Sequence, residues 1–250
     1  MTPEDITFDR CFSEGWSAFQ SRIGLSIGAY VVFNVMMRLI LRVPIAGPIY
    51  TTLGMFPFYG GYYLLFLGIA KRPDPQIDDL FAGFSSVRTW ARWLGLGWLV
   101  GLYVLLTSLV CAVVPGISIL VAYVRLGAHS WGFIAVAVIA SLVFALAVGA
   151  IAIRWTFVYY LGAEGATVTE AIAASTEWTE GLRWRLLWIY IVIGLLGIAG
   201  ALACGVGLIF TLPLAECCSA ALYLDVKQLR TQQPSAAPLQ NIAGEDFAPE

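Results

Sequence analysis

RWRLLWIYIVIGLLGIAGALACGVGLIFTLPLAECCSAALYLDVKQLR, residues 183–230, sets the number of times the chain crosses a membrane. Its apolar runs at 186–204 and 206–224 each approach the roughly 20 residues a helix needs to span a hydrocarbon core of about 30 Å. They are divided only by the glycine-rich ALACGVG. Read as a tight surface turn, that stretch makes the two runs an antiparallel pair; read as continuous helix, it removes one span and separates the chain ends.

Working outward, four more runs have spanning length: 23–41, 49–70, 93–115, and 131–153 extended toward Tyr160. Pro115 and Gly116 interrupt the third, and ISILVAYV at 117–124 follows as either a kinked continuation or an interfacial segment. Basic residues choose between six spans and five, since Lys and Arg accumulate in cytoplasmic loops. With six, Arg10, Arg22, Lys71, Arg72, Arg88, Arg92, Arg183, Arg185, Lys227 and Arg230 fall on one side, against Arg38, Arg42 and Arg125 on the other. With five, the last two basic residues cross to the wrong face. The acids of the two longer links, Asp74, Asp78, Asp79, Glu164, Glu170, Glu177 and Glu180, share the basic side.

Composition agrees with a membrane protein. Of 250 residues 60% are hydrophobic and 12% charged, and the mean hydropathy is +0.82, whereas soluble domains carry about 25% charged residues. The net charge of -2 gives no reason to expect nucleic acid. The first twenty residues lack a basic segment followed by a short apolar core, so no cleaved signal is expected. The single His129 and the scattered Cys11, Cys111, Cys204, Cys217 and Cys218 offer no metal-ligand spacing, and neither metal nor cofactor is expected. No phosphate-binding loop, GxSxG or HExxH is present, so no catalytic residue is assigned.

Three amphipathic stretches precede the hairpins: FDRCFSEGWSAF, the segment at 74–88 and that at 168–180. Ile77, Leu80, Phe81, Phe84 and Val87 recur at helical spacing, as expected of a helix lying on the inner surface with Asp78 and Asp79 turned to water. An offset of 91 residues matches Ile77 to Val168, Asp79 to Glu170 and Arg92 to Arg183. A threefold repeat and the general preference for aromatic and basic residues at membrane entry account equally for that match. The expected architecture is all-α: a polytopic membrane protein with six transmembrane helices as three hairpins and short cytoplasmic interfacial helices, residues 1–230 forming one domain. Residues 231–250, without periodicity, are expected as a flexible cytoplasmic tail.

Glu216 stands nine residues before Asp225, about 13 Å up a helix, where a carboxylate is costly and normally faces a partner or a cavity. Three readings are open: an ion pair with Arg154, a proton, ion or substrate site, or a neutral acid bonded to polar neighbours. Pro213 withholds a backbone donor one turn earlier and is a candidate kink. Asn34 and Arg38 share a helix face and either line an outward crevice or reach the interface. The GxxxG pairs Gly24/Gly28 and Gly97/Gly101, and Gly60/Gly61, are expected at close helix contacts.

IDDLFAGF after the second run, EAIAAS before the fifth, and the closing AALYLDVKQLR resemble an uncharacterised bacterial integral membrane family related to the membrane domains beside glycerophosphodiester phosphodiesterases. The resemblance covers roughly residues 8–230. It implies six helices with cytoplasmic termini in a bacterial inner membrane, and a closing tyrosine–aspartate–basic pattern matched by Tyr223, Asp225 and Lys227. It implies no activity, and the soluble phosphodiesterase domain has no counterpart here. The residues favour a transport or channel-like role for a small solute or lipid-derived molecule, with a non-enzymatic accessory or lipid-organising role as the alternative. The expected partners are membrane lipids and another membrane protein or a second copy of the chain.

Overall fold

Thr7 opens the first helix, α1 (Phe8–Ser21), by accepting the Arg10 backbone N–H on its hydroxyl. The computed structural model describes residues 2–43, 47, 50–71, 75–126, 130–203 and 206–232. The expected tail from residue 233 onward, with Arg72, Asp74, His129 and Cys204, lies outside them. Every regular element among the described residues is helical.

α1 buries Cys11, Gly15 and Phe19, spaced by four, and turns Arg10 and Glu14 outward as an ion pair. It ends at Arg22, and the chain bends by 88° into α2 (Ile23–Leu41). A π-helical segment (Tyr50–Gly54) leads into α3 (Met55–Lys71), most of whose residues are buried. After a 3-10 helix (Ile77–Phe84) comes α4 (Val87–Leu126), then α5 (Trp131–Ala152), a 3-10 turn (Ile153–Trp155) and the short α6 (Val158–Ala163). Thr167 and Glu170 form a capping box that starts α7 (Val168–Thr179). The last two helices are α8 (Arg183–Leu202) and α9 (Leu208–Thr231), which are separate and pack on each other, so ALACGVG does not join them into one helix.

α9 runs through the middle. Its CCSAA stretch, residues 217–221, is buried throughout and lets α1, α2, α3 and α8 approach closely. Where helices gain little from excluding water, such small-residue contacts supply the packing. A Cβ on Gly15 would lie 2.6 Å from the Cys218 Cα, and the Cys11 thiol donates to the Cys218 carbonyl at 3.1 Å. α4 and α5 pair with each other and leave Leu102, Leu105, Leu109, Leu120 and Val124 exposed along one side, and Ile139, Leu142 and Leu146 along the other.

Among the described residues, four helical stretches are long and apolar enough to cross a membrane: Val87–Arg125, Trp131–Ala163, Arg183–Leu202 and Leu208–Thr231. The bent pair α1 and α2 makes a fifth when counted as one. α3 alone has 17 residues, about 26 Å, short of a full hydrocarbon core.

Several expectations change at the level of elements. Pro115 does not end its helix: α4 is continuous for 40 residues, about 60 Å, so 117–124 is neither a separate interfacial piece nor a loop. The 74–88 link is a 3-10 helix over Ile77–Phe84, and the face it packs is Leu80 and Gly83. Ile77, Phe81 and Phe84 keep 40–45% exposure. The reason is steric: a side chain on Gly61 would collide with the Leu80 carbonyl, and one on Gly83 with the Pro57 carbonyl, so two backbones touch where only glycine fits. Gly60 faces the Trp93 ring and Gly97 the Phe56 ring, but Gly24, Gly28 and Gly101 face open space and form no close contact.

Candidate functional site: a tyrosine-lined cavity at Glu216

The run beginning at Trp131 stops being α-helical at Ala152 with no Pro to break it and Gly149 one turn before. The cause comes from α7. Ser175, fully buried, donates its hydroxyl to the Arg154 carbonyl at 2.8 Å and accepts the Phe157 backbone N–H at 3.2 Å. Those are backbone groups that a continuous helix would satisfy internally. Protein and a cavity surround this irregular stretch of backbone.

The freed segment turns Trp155, Thr156, Tyr159 and Tyr160 onto a cavity of about 290 Å³. Tyr63 of α3 and Tyr190 of α8 close two walls, and Glu216 and Ser219 of α9, one turn apart, complete it. The Tyr63 and Tyr159 rings stack at 5.2 Å, and Tyr103 stacks on Trp155 at 3.8 Å, so neighbours hold the wall rigidly. Ser219 donates its hydroxyl to the Ala215 carbonyl at 2.9 Å. Tyr160 is 1% exposed and its hydroxyl has no hydrogen-bond partner among the described residues. A buried hydroxyl left so is costly unless water or a ligand occupies the space beside it.

Among the sequence-derived candidates, Glu216 is in the cavity wall and Pro213 lies buried one turn before it within continuous α9. Arg154 does not pair with Glu216. Its side chain is exposed, its backbone carbonyl serves Ser175, and no ion pair among the described residues joins the two. Asn34 donates to the Tyr30 carbonyl at 2.9 Å within α2 and lies outside the cavity lining. Tyr63, Tyr159, Tyr160, Tyr190 and Ser219 escaped the sequence reading. Ser219, at a helical spacing of three from Glu216, carried the available signal.

Below the cavity lies a polar lock. Tyr160 stacks on Tyr223 at 5.1 Å. The Tyr223 hydroxyl donates to Glu164 Oε2 at 2.6 Å, and Lys227 Nζ donates to the same oxygen at 2.5 Å. Lys71 Nζ reaches Oε1 at 3.1 Å. Burial pushes the Glu164 carboxyl up, but the bonds from Lys227 and Tyr223 and the charges of Lys227 and Lys71 outweigh it and hold the group below its ordinary value. Asp225, two residues along from Tyr223, accepts from Arg10 of α1 at 3.1 Å. The alternation in Tyr223, Asp225 and Lys227 therefore serves two helical faces, one toward α6 and one toward α1.

No group of three or more His, Cys, Asp or Glu among the described residues is placed to hold a metal ion. The architecture is that of an all-α protein with several helices of membrane-spanning length and a polar cavity within the bundle. The chain belongs to the family described as "Protein of unknown function (DUF975)", which matches residues 20–230. No curated protein and no solved structure matches it.

Proposed function

We propose that this is a multi-pass protein of a bacterial inner membrane that binds and moves a small solute or lipid-derived molecule at the Glu216 cavity. The observation that carries the reading is that the Tyr160 hydroxyl, without a partner among the described residues, shares with Glu216 the lining of a cavity bordered by a broken helix. Broken helices at membrane depth are a recurrent way for transporters to form solute sites. The proposal includes six spans in three hairpins with both termini cytoplasmic. It is supported by the mutual packing of α2 with α3, α4 with α5 and α8 with α9. The relation to membrane domains beside glycerophosphodiester phosphodiesterases is part of the proposal only through the residue pattern noted above.

The accessory or lipid-organising reading draws on the exposed apolar sides of α4 and α5, which suit lipid, a second copy or another membrane protein. Proteoliposomes separate the two. Under an imposed proton gradient, wild type should give solute-dependent proton flux at least about tenfold above Glu216→Gln, a difference of about 1.4 kcal/mol. Equal flux in both, at the level of empty vesicles, would transfer the assignment to the accessory role.

A further inference from the structure

The cavity's charge inventory is one-sided. Glu216 as a carboxylate only accepts, Ser219 has its proton committed to the Ala215 carbonyl, and the free Tyr160 hydroxyl can accept as well as donate. No Lys, Arg or His lines the space. The nearest basic residue along the chain, Arg154, is exposed outside the cavity lining. The remaining lining residues, Tyr63, Trp155, Thr156, Tyr159 and Tyr190, add hydroxyls and rings but no cation to neutralise an anion. At about 290 Å³ the space is at the lower end of small-molecule sites and far larger than a bare metal ion needs.

We infer that the solute is a small organic ammonium, with its charged nitrogen between Glu216, Ser219 and Tyr160 and its apolar body against Trp155 and Tyr63. This rests on the solute-site reading above and narrows it to one chemical class. A carboxylate at membrane depth needs a counter-charge, and an ammonium brings three N–H donors to three acceptor positions while its carbon frame covers the rings. A carboxylate or phosphate solute would meet Glu216 with like charge and find no cation. A neutral alcohol of the same shape would fill the space but leave the Glu216 charge uncompensated.

The test uses three molecules of nearly equal size: 4-fluorobenzylammonium, 4-fluorobenzyl alcohol and 4-fluorobenzoate. Each is titrated onto the full protein in lipid nanodiscs and followed by fluorine NMR, with empty nanodiscs subtracted. The ammonium should bind saturably and about tenfold or more tighter than the alcohol, with no saturable binding of the benzoate. Glu216→Gln should erase that preference. Tyr160→Phe, which removes a hydroxyl that bonds nothing in the fold, should weaken the ammonium by roughly threefold to tenfold and leave thermal stability intact. This second variant keeps the test decisive if Glu216→Gln does not fold. Glu216-dependent binding of the alcohol or the benzoate as tight as that of the ammonium would overturn the ammonium assignment and keep the solute site. Absence of saturable binding by all three, together with no Glu216-dependent flux, would overturn both.

Discussion

Replacing Ser175 with Ala strands the Arg154 carbonyl and the Phe157 N–H at the helix break, since one hydroxyl serves both. The expected cost is about 1–3 kcal/mol, read as a lower midpoint of thermal unfolding in detergent; an unchanged midpoint would mean the break holds itself. Glu164 makes a different prediction. Because its carboxyl is held below the ordinary value in the folded state, it contributes stability above the unfolded value near pH 4.5 and loses it as pH falls through the lower folded value. Glu164→Gln should therefore destabilise the protein at neutral pH by roughly 1–3 kcal/mol and flatten the acid limb of a stability–pH curve. Glu216 was legible at this scale because a carboxylate inside an apolar run is an anomaly by itself. Tyr160 was not, since one tyrosine in an aromatic-rich chain resembles any interfacial anchor. Ser175, a small polar residue on an amphipathic helix, gave no hint of a partner 21 residues earlier.

The contact between α3 and the 3-10 helix Ile77–Phe84 depends on two glycines rather than on apolar area. Gly61→Ala or Gly83→Ala should push that element away, with a loss of about 1–3 kcal/mol from overpacking and new protease sensitivity between residues 75 and 86. Gly28→Ala provides the contrast: nothing lies within 4 Å of its Cβ position, and the helix should gain up to about 1 kcal/mol. Equal effects at Gly28 and Gly61 would contradict the packing account. The sequence pattern marked Gly24, Gly28, Gly60 and Gly61 alike as packing residues, and only Gly60 and Gly61 are in close contact, because GxxxG records which faces permit approach and not which are used. Helix type was equally hard to read, since the spacing of three between Ile77 and Leu80 suits both a 3.0 and a 3.6 repeat. Pro115 and Gly116 left continuation and an interfacial piece both open, and α4 continues through them. The break after Ala152 carried only the weak local mark of Gly149, and the contact that accompanies it, from Ser175, is tertiary.

Across the molecule, one end is held by its basic residues. Arg185 bonds the Pro3 carbonyl, Arg92 the Gly165 carbonyl at 3.0 Å, and Arg230 the carbonyls of Trp178 and Glu180, alongside the Lys71–Glu164–Lys227 and Arg10–Asp225 pairs. The charge asymmetry read from the sequence is thus also a set of ties between segments far apart in the chain. Reporter fusions after Ile45, Lys71, His129, Glu164, Val206 and Arg230 should alternate, beginning outside and ending inside. An external C-terminal reporter would contradict the six-span topology.

At the same scale stands the account's main claim, that polar solutes reach the Glu216 cavity. Thr156 lines that cavity, whereas Cys11, Cys217 and Cys218 are buried. Thr156→Cys, treated in nanodiscs with the cationic methanethiosulfonate ethyltrimethylammonium reagent and weighed as intact protein, should gain one adduct beyond wild type. The anionic sulfonatoethyl reagent should react about tenfold more slowly, and adding Glu216→Gln should narrow that difference. A folded Thr156→Cys variant that gains no adduct beyond wild type from either reagent would make the cavity a sealed packing gap and contradict the account.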